Sequence, residues 1–214
     1  MHRIHLPLLK AVAIAAGIAC FLPVGGLAQQ SSASDFKISK IEIAFAASPG
    51  YGGSGYDKRV QRPGQWLEIE AIFDWLPRTP EPKYLDDLTV NYYVLLNTKG
   101  RLKDSPEGTL LTGTVNHTSV AMGKDLKSVI YLPPRALERL FDGKVPGTAK
   151  AAVAGVGVTL TQGGEVVAEL ATSGKGQWWS QMKGVSGYLL AKPDTPFAPL
   201  AWDYFEPVKK GSSN

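Results

Sequence analysis

Cysteine and histidine are scarce in this 214-residue chain, which contains one cysteine and three histidines. Cys20, His2 and His5 all lie within the first 28 residues, so the rest of the chain keeps His117 alone. Without those first residues, a cysteine nucleophile, a thiolate metal site and a disulfide are all excluded. We therefore predict no metal and no cofactor, and a fold held by a hydrophobic core, which a chain of this length can form.

Acidic residues are missing from the start of the chain, where Asp35 is the first. Arg3 and Lys10 flank the beginning of an apolar stretch from Ala11 to Val24, and Gly26-Leu27-Ala28 supplies the small residues of a cleavage site. This pattern predicts that residues 1–28 are a signal peptide. We expect an exported protein, located in the periplasm, in association with the outer membrane or at the cell surface.

Two other fates of the first segment are disfavoured. An uncleaved membrane anchor is disfavoured because Pro7, Lys10 and Pro23 interrupt the apolar residues; only in that case do we expect membrane contact. Lipidation at Cys20 is disfavoured because Gly17 lacks the large aliphatic side chain usual at that spacing. The chain has 23 basic and 19 acidic residues, a net charge of +4, and part of that excess lies in the signal segment. We predict no nucleic-acid partner.

Alternating apolar residues separated by glycine and proline predict an all-β fold. In Trp66–Trp75 one face is apolar, and the acidic side chains of the other face predict that it is mostly solvated. Phe36–Ala46 keeps one apolar face only if a bulge lies near Ser39-Lys40. Gln162-Gly163-Gly164 predicts a hairpin turn, and Pro133-Pro134 predicts the start of one short helix.

These elements indicate an immunoglobulin-like β-sandwich of about seven strands, with one short helix and an irregular, aromatic C-terminal tail that packs back on the domain. A barrel is the alternative. We assign residues 29–35 to a flexible N-terminus, 36–205 to the domain and 206–214 to a flexible C-terminus.

Catalytic motifs are incomplete throughout the chain. Gly155-Val156-Gly157 lacks the third glycine of a dinucleotide fingerprint and predicts a packed strand. Glu68 and Glu70 share a strand face, and Asp86-Asp87 ends a loop, so a hydrolase would need one of them opposite another carboxylate across a cleft. We interpret both pairs as solvated structural positions. His117 is predicted to lie in a surface turn. No catalytic residue is predicted, and we expect that the protein is not an enzyme.

Aromatic residues are the remaining signal of a binding surface, because exposed rings anchor protein interfaces or stack on sugars. Ser48–Gly64 is a glycine-rich segment that we interpret as an exposed loop, and it contributes the candidates Tyr51, Tyr56 and Arg59. Trp178 and Trp179 are the other candidates for interaction. A carbohydrate-binding module that uses Trp178, Trp179 and Tyr56 is the alternative to a protein-binding domain.

Four segments carry a family resemblance: WLEIEAIFDWLP (66–77), YLDDLTVNYYVLLNT (84–98), VIYLPP (129–134) and QWW (177–179). In these segments, and in their order, the chain is similar to the small pilus-like proteins of the type IV pilus locus in Akkermansia and related Verrucomicrobia. The resemblance implies an exported, non-enzymatic immunoglobulin-like domain that associates with protein partners in a pilus-like envelope assembly. An ordinary prepilin has a glutamate at the fifth position of its apolar helix, which this chain lacks, so an accessory component is expected.

Overall fold

Strands make up about half of the part of the chain that the structure, a computed structural model, describes: residues 35–50, 64–79, 81–98, 108–174 and 176–210. The strands are β1 (Phe36–Ala47), β2 (Gln65–Trp75), β3 (Tyr84–Leu85), β4 (Leu88–Leu96), β5 (Thr109–His117), β6 (Val120–Ala121), β7 (Gly123–Leu132), β8 (Val153–Gln162), β9 (Glu165–Ala171) and β10 (Leu190–Ala191). The helices are α1 (Pro134–Leu140) and α2 (Ala149–Ala152), with single 3-10 turns at Trp178–Gln181 and Lys192–Asp194.

Two antiparallel sheets form a sandwich. The first sheet, called sheet I, has the order β1-β2-β7-β10, and the second, sheet II, has the order β5-β4-β8-β9. The inward side chains of β2 and β4 alternate strictly with outward ones, and the inward ones are fully or almost fully buried. Because the seven longer strands of the described chain divide between the sheets in this way, the fold is the predicted immunoglobulin-like β-sandwich.

The local predictions for β1 and the hairpin are confirmed. The pairing of β1 with β2 shifts by one residue between Ile38 and Lys40, so a bulge lies at the expected place. It brings Ile41, Ile43 and Phe45 to the core side together with Phe36 and Ile38. Gly163 and Gly164 both have positive φ, which is what the two-residue turn between β8 and β9 requires.

The helix content differs from the prediction of one short helix. The Thr148 hydroxyl accepts a hydrogen bond from the Ala151 N–H (3.2 Å) and caps the one-turn helix α2, and β8 begins after that turn, at Val153. A second short helix therefore accompanies the predicted one.

The C-terminal tail closes one side of the sandwich. Val185 pairs with β5 at Leu111, and β10 pairs with the edge of β7. Val208 then bridges to His117 at the end of β5, where the Lys209 N–H donates to the Asn116 carbonyl (2.7 Å). The tail packs back as predicted. Residues 207–209 are hydrogen-bonded to β5, although the sequence predicts a flexible C-terminus from residue 206.

The outer face of sheet I is not mostly solvated, which corrects the prediction from β2. Trp66 is 9% exposed and Glu70 is 6% exposed. Phe197 of the tail stacks on Tyr131 at 4.7 Å and meets the Trp66 ring edge-on at 5.6 Å. The alternation of β2 is real, but its second face is covered by a segment more than a hundred residues further along the chain, which no local pattern reveals.

Candidate functional site

The residues predicted for interaction fall into two groups. Tyr51, Tyr56 and Arg59 lie outside the described residues. Trp178 and Trp179 form a 3-10 turn that packs on the outer face of sheet II. Trp179 stacks on Tyr93 of β4, with ring centroids 4.9 Å apart and an angle of 12° between the planes.

Trp179 is not a stacking platform for a ligand, which corrects the prediction. Its side chain is 5% exposed, and it lies over Gly157, where an added Cβ would overlap the indole ring. Trp178 meets Trp179 edge-on at 5.5 Å and is half-buried. Gly157 thus admits Trp179 against β8, while Gly155 leaves room for the Ser173 hydroxyl, and the prediction of a packed strand there is confirmed.

The carboxylates of β2 lie on one sheet face, with no cleft between them. Glu70 pairs in register with Glu42 of β1, and its carboxylate accepts a hydrogen bond from the Tyr204 hydroxyl at 3.3 Å. Burial raises the pKa of Glu70, and the neighbouring Glu42 and Glu68 act in the same direction, against the hydrogen bond from Tyr204. Among the described residues, no group of three or more potential ligands is placed to hold a metal ion.

Asp86 has a structural role in a turn. Its carboxylate accepts hydrogen bonds from the Ser119 N–H (2.9 Å) and from the hydroxyls of Ser119 (3.3 Å) and Thr118 (3.1 Å). These bonds, the Ser119 N–H first, lower the pKa of Asp86. They hold Ser119 at a φ of 54° and fix the connection between β5 and β6.

His117 is buried, where the sequence predicts a surface turn. The imidazole is 1% exposed, with Nδ1 3.1 Å from the Pro207 carbonyl oxygen and Nε2 2.8 Å from the Ser128 hydroxyl. Burial lowers the pKa of His117 to about 4. Because Ser128 is also fully buried, the pair fastens the tail and the two sheets to one another.

On the side of the sandwich opposite the tail, β1 and β9 are the edge strands of the two sheets. In the described chain β1 pairs only with β2, and β9 pairs only with β8. A groove of about 440 Å³ runs beside β1; it is lined by Lys40, Ile41, Glu42, Ile43, Lys150, Val153 and Thr172. We call it the β1 groove. Its half-buried isoleucines lie between exposed charged side chains, and Lys40 forms an ion pair with Glu42.

A second cavity, of about 240 Å³, lies under the C-terminal tail. We call it the tail cavity. Its walls include Val129, Lys192, Ala198, Trp202, Phe205 and Glu206. Lys192 is 8% exposed and Trp202 is 77% exposed, so a buried cation and an open aromatic ring share one cavity. Sequence periodicity does not reveal this site, because residues 192–210, which form most of its wall, contain no strand.

The fold and these surfaces define an immunoglobulin-like β-sandwich whose tail packs on one side, while β1 and β9 form the sheet edges on the other side of the described chain. The chain matches a crystal structure of a protein from Akkermansia muciniphila with a TM-score of 0.68 and 22% identity, over 82% of this chain and 93% of that one. At that identity the likeness shows the fold.

The chain belongs to the family that its strand sequences resemble, the small immunoglobulin-like proteins of Akkermansia and related Verrucomicrobia, since the model of that family matches residues 27–212. No curated protein matches it. In the described residues, no helix has the length and apolar character needed to cross a membrane.

Proposed function

We propose that this protein is an exported, non-enzymatic component of a pilus-like envelope assembly, which it joins by accepting an extended segment of a protein partner along β1. The β1 groove is the observation that carries this proposal. A sheet edge has backbone N–H and C=O groups that can pair with an added strand, and grooves for alternate side chains of that strand give specificity.

The dimensions of the β1 groove suit such a segment. The four residues Lys40–Ile43 line it, and four residues of a strand span about 13 Å. Ile41 and Ile43 point toward the groove and the core, while Lys40 and Glu42 alternate with them and are exposed. A partner with alternating apolar and polar residues matches this pattern.

The other side of the sandwich supports the choice of β1. Val185 and Val208 bridge to single residues of β5, and β10 pairs with two residues of β7, so the tail covers part of both of these edges. His117 and Asp86, two polar residues that could take part in catalysis, have structural partners. His117 is hydrogen-bonded to Ser128 and Pro207, and Asp86 accepts a hydrogen bond from the Ser119 N–H. Family membership supports an envelope role through the resemblance to pilus-like proteins.

Site-specific photo-crosslinking tests the proposal. A photoreactive residue replaces Lys40 or Lys150, which line the β1 groove, or Lys183, an exposed control in the tail that covers β5. Each tagged protein is irradiated in a native envelope extract. We expect both groove positions to crosslink to neighbouring residues of one alternating apolar segment in a pilus or secretin-like protein, and the control to yield no such product.

Two results would contradict this function. Crosslinks that form only from Lys183 would place the partner on the other side of the sandwich. Retention of the protein on a glycan column, with no protein crosslink from the groove positions, would favour the carbohydrate-binding alternative. Trp179 would not be a stacking residue in that case, because its ring is buried.

A further inference from the structure

We propose that the tail cavity binds a small organic monocarboxylate, whose carboxylate pairs with Lys192 and whose apolar body lies against Trp202 and Phe205. This site is separate from the β1 groove and does not depend on the proposed function.

The position of the Lys192 ammonium is the first argument. Its Nζ donates a hydrogen bond to the Ala198 carbonyl oxygen at 3.1 Å and lies 5.9 Å from the centre of the Trp202 ring and 5.7 Å from that of Phe205. All four residues line the cavity. An ammonium has three N–H donors, so one bond to a carbonyl leaves donors for a ligand.

The charge of Lys192 is the second argument. Within the described chain, no carboxylate lies within 4 Å of its Nζ, and the residue is 8% exposed. A buried cation without an anionic partner is unfavourable, and the aromatic faces compensate for only part of the lost hydration. Burial also lowers the pKa of Lys192. A ligand carboxylate would supply the missing negative charge in a place that water reaches poorly.

The lining of the cavity limits the ligand. Val129, Trp202 and Phe205 give it an apolar wall, which suits a hydrocarbon or aromatic body. A volume of about 240 Å³ corresponds to roughly eight water-sized groups at about 30 Å³ each. Besides Lys192, the charged residues that line the cavity are Lys210 and Glu206, so its lining has a net charge of +1, which one ligand carboxylate neutralises. A ligand with a second negative charge would exceed the positive charge of the lining. These features select a monocarboxylate over phosphate or a dicarboxylate.

Titration with benzoate, with benzamide as its neutral counterpart of the same shape, tests the site in the full chain. We expect saturable binding of benzoate by calorimetry, with a change in tryptophan fluorescence, and binding of benzamide weaker by at least about tenfold. The variant Lys192→Met keeps the aliphatic stem and removes the charge, so it should lose benzoate affinity by a similar factor. Lys183→Met, at an exposed position outside the cavity, should bind as the wild type does.

A second variant keeps the proposal falsifiable if Lys192→Met fails to fold. Trp202 is 77% exposed, so Trp202→Ala should leave the fold intact while it weakens benzoate binding and removes the fluorescence change. Equal binding of benzoate and benzamide, unchanged affinity in folded Lys192→Met, or no saturable binding at millimolar benzoate would each overturn the proposal. Preferential binding of inorganic phosphate would overturn the choice of a monocarboxylate.

Discussion

The Nε2 atom of His117 lies 2.8 Å from the hydroxyl oxygen of Ser128, and this buried hydrogen bond crosses from sheet II to sheet I. The other ring nitrogen of His117 faces the Pro207 carbonyl oxygen at 3.1 Å. A neutral imidazole can donate to that carbonyl and accept from the serine hydroxyl. One side chain therefore connects both sheets and the C-terminal tail, and its burial favours the neutral form of the imidazole.

Acid should destabilise the protein through His117. Burial lowers the pKa of the imidazole from 6.5 to about 4, so the unfolded chain binds a proton at a higher pH than the folded chain does. The free energy of unfolding should then fall as the pH decreases from 6.5 to about 4, by up to about 3 kcal/mol from this residue. Chemical denaturation across this range measures the slope.

The variant His117→Gln isolates that contribution. It should be less stable than the wild type at pH 7, by roughly 1 to 3 kcal/mol, because a buried hydrogen-bond partner is lost. Its stability should lack the histidine-dependent decline below pH 6.5. The carboxyl groups of Glu70 and Glu206 titrate in both proteins, so they cancel in the difference. Parallel pH profiles for the two proteins would show that the burial of His117 is not the cause.

The contribution of Glu70 to the free energy of unfolding should change with pH in the opposite sense to that of His117. Burial and neighbouring carboxylates raise the pKa of Glu70 in the folded state, so its ionised form lowers the free energy of unfolding at neutral pH. This loss of stability disappears as the pH falls through the folded pKa toward the unfolded value of 4.5. Glu70→Gln should raise the free energy of unfolding at pH 7 by about 0.5 kcal/mol, since like charges opposite one another on a sheet are destabilising.

Two comparisons check this prediction for Glu70. The gain should vanish at a pH below 4.5, where the wild-type carboxyl is protonated, and urea denaturation at both pH values would reveal it. The same change at the exposed Glu165, in Glu165→Gln, should have an effect close to zero. A loss of stability in Glu70→Gln at pH 7 would mean that the bond from Tyr204 depends on the charge.

Substitution of two tryptophans with different surroundings should have sharply different effects on the stability of the protein. Trp179→Ala removes the ring that stacks on Tyr93 and covers Gly157, and the loss should be about 3 to 5 kcal/mol. Trp202→Ala removes an equally large ring that is 77% exposed, and its effect should lie within about 0.5 kcal/mol. Denaturation of both variants is the measurement. Similar losses in the two would contradict the placement of Trp179.

The strands of this protein were predictable where one face of each strand is buried against the opposite sheet. Leu88, Val90 and Tyr92 alternate with exposed or half-buried residues, and the structure buries that face completely. The bulge in β1 was also predictable, because five apolar residues share a face only if the register shifts between Ile38 and Lys40.

The tail contacts were not predictable, because they depend on pairing between distant segments. Leu190 pairs with Tyr131 and Val208 pairs with His117, and neither contact leaves a local period in the sequence. Glu70 and Lys192 have the charged side chains typical of a surface, yet tail residues bury both. The aromatic content of the tail was the available signal that it packs, but it did not indicate where.

Phe197 should hold the tail on the outer face of sheet I. Its ring stacks on Tyr131 at 4.7 Å and meets Trp66 edge-on at 5.6 Å, so Phe197→Ala removes the centre of this aromatic cluster. We expect a loss of about 3 to 5 kcal/mol in the stability of the tail, with faster amide hydrogen exchange across residues 190–205. Exchange in β4 and β8 should change less, because the core between the sheets does not include Phe197.

Leu200→Ala is the matched control in the same tail. Leu200 is 40% exposed, and the aromatic cluster does not include it, so exchange across the tail should stay close to that of the wild type. Uniformly faster exchange over both sheets in Phe197→Ala would mean that the tail and the sandwich open as one cooperative unit. Faster exchange confined to the tail would instead show a segment that can leave sheet I while the sandwich remains folded, and the edge of β7 would then become available to a strand.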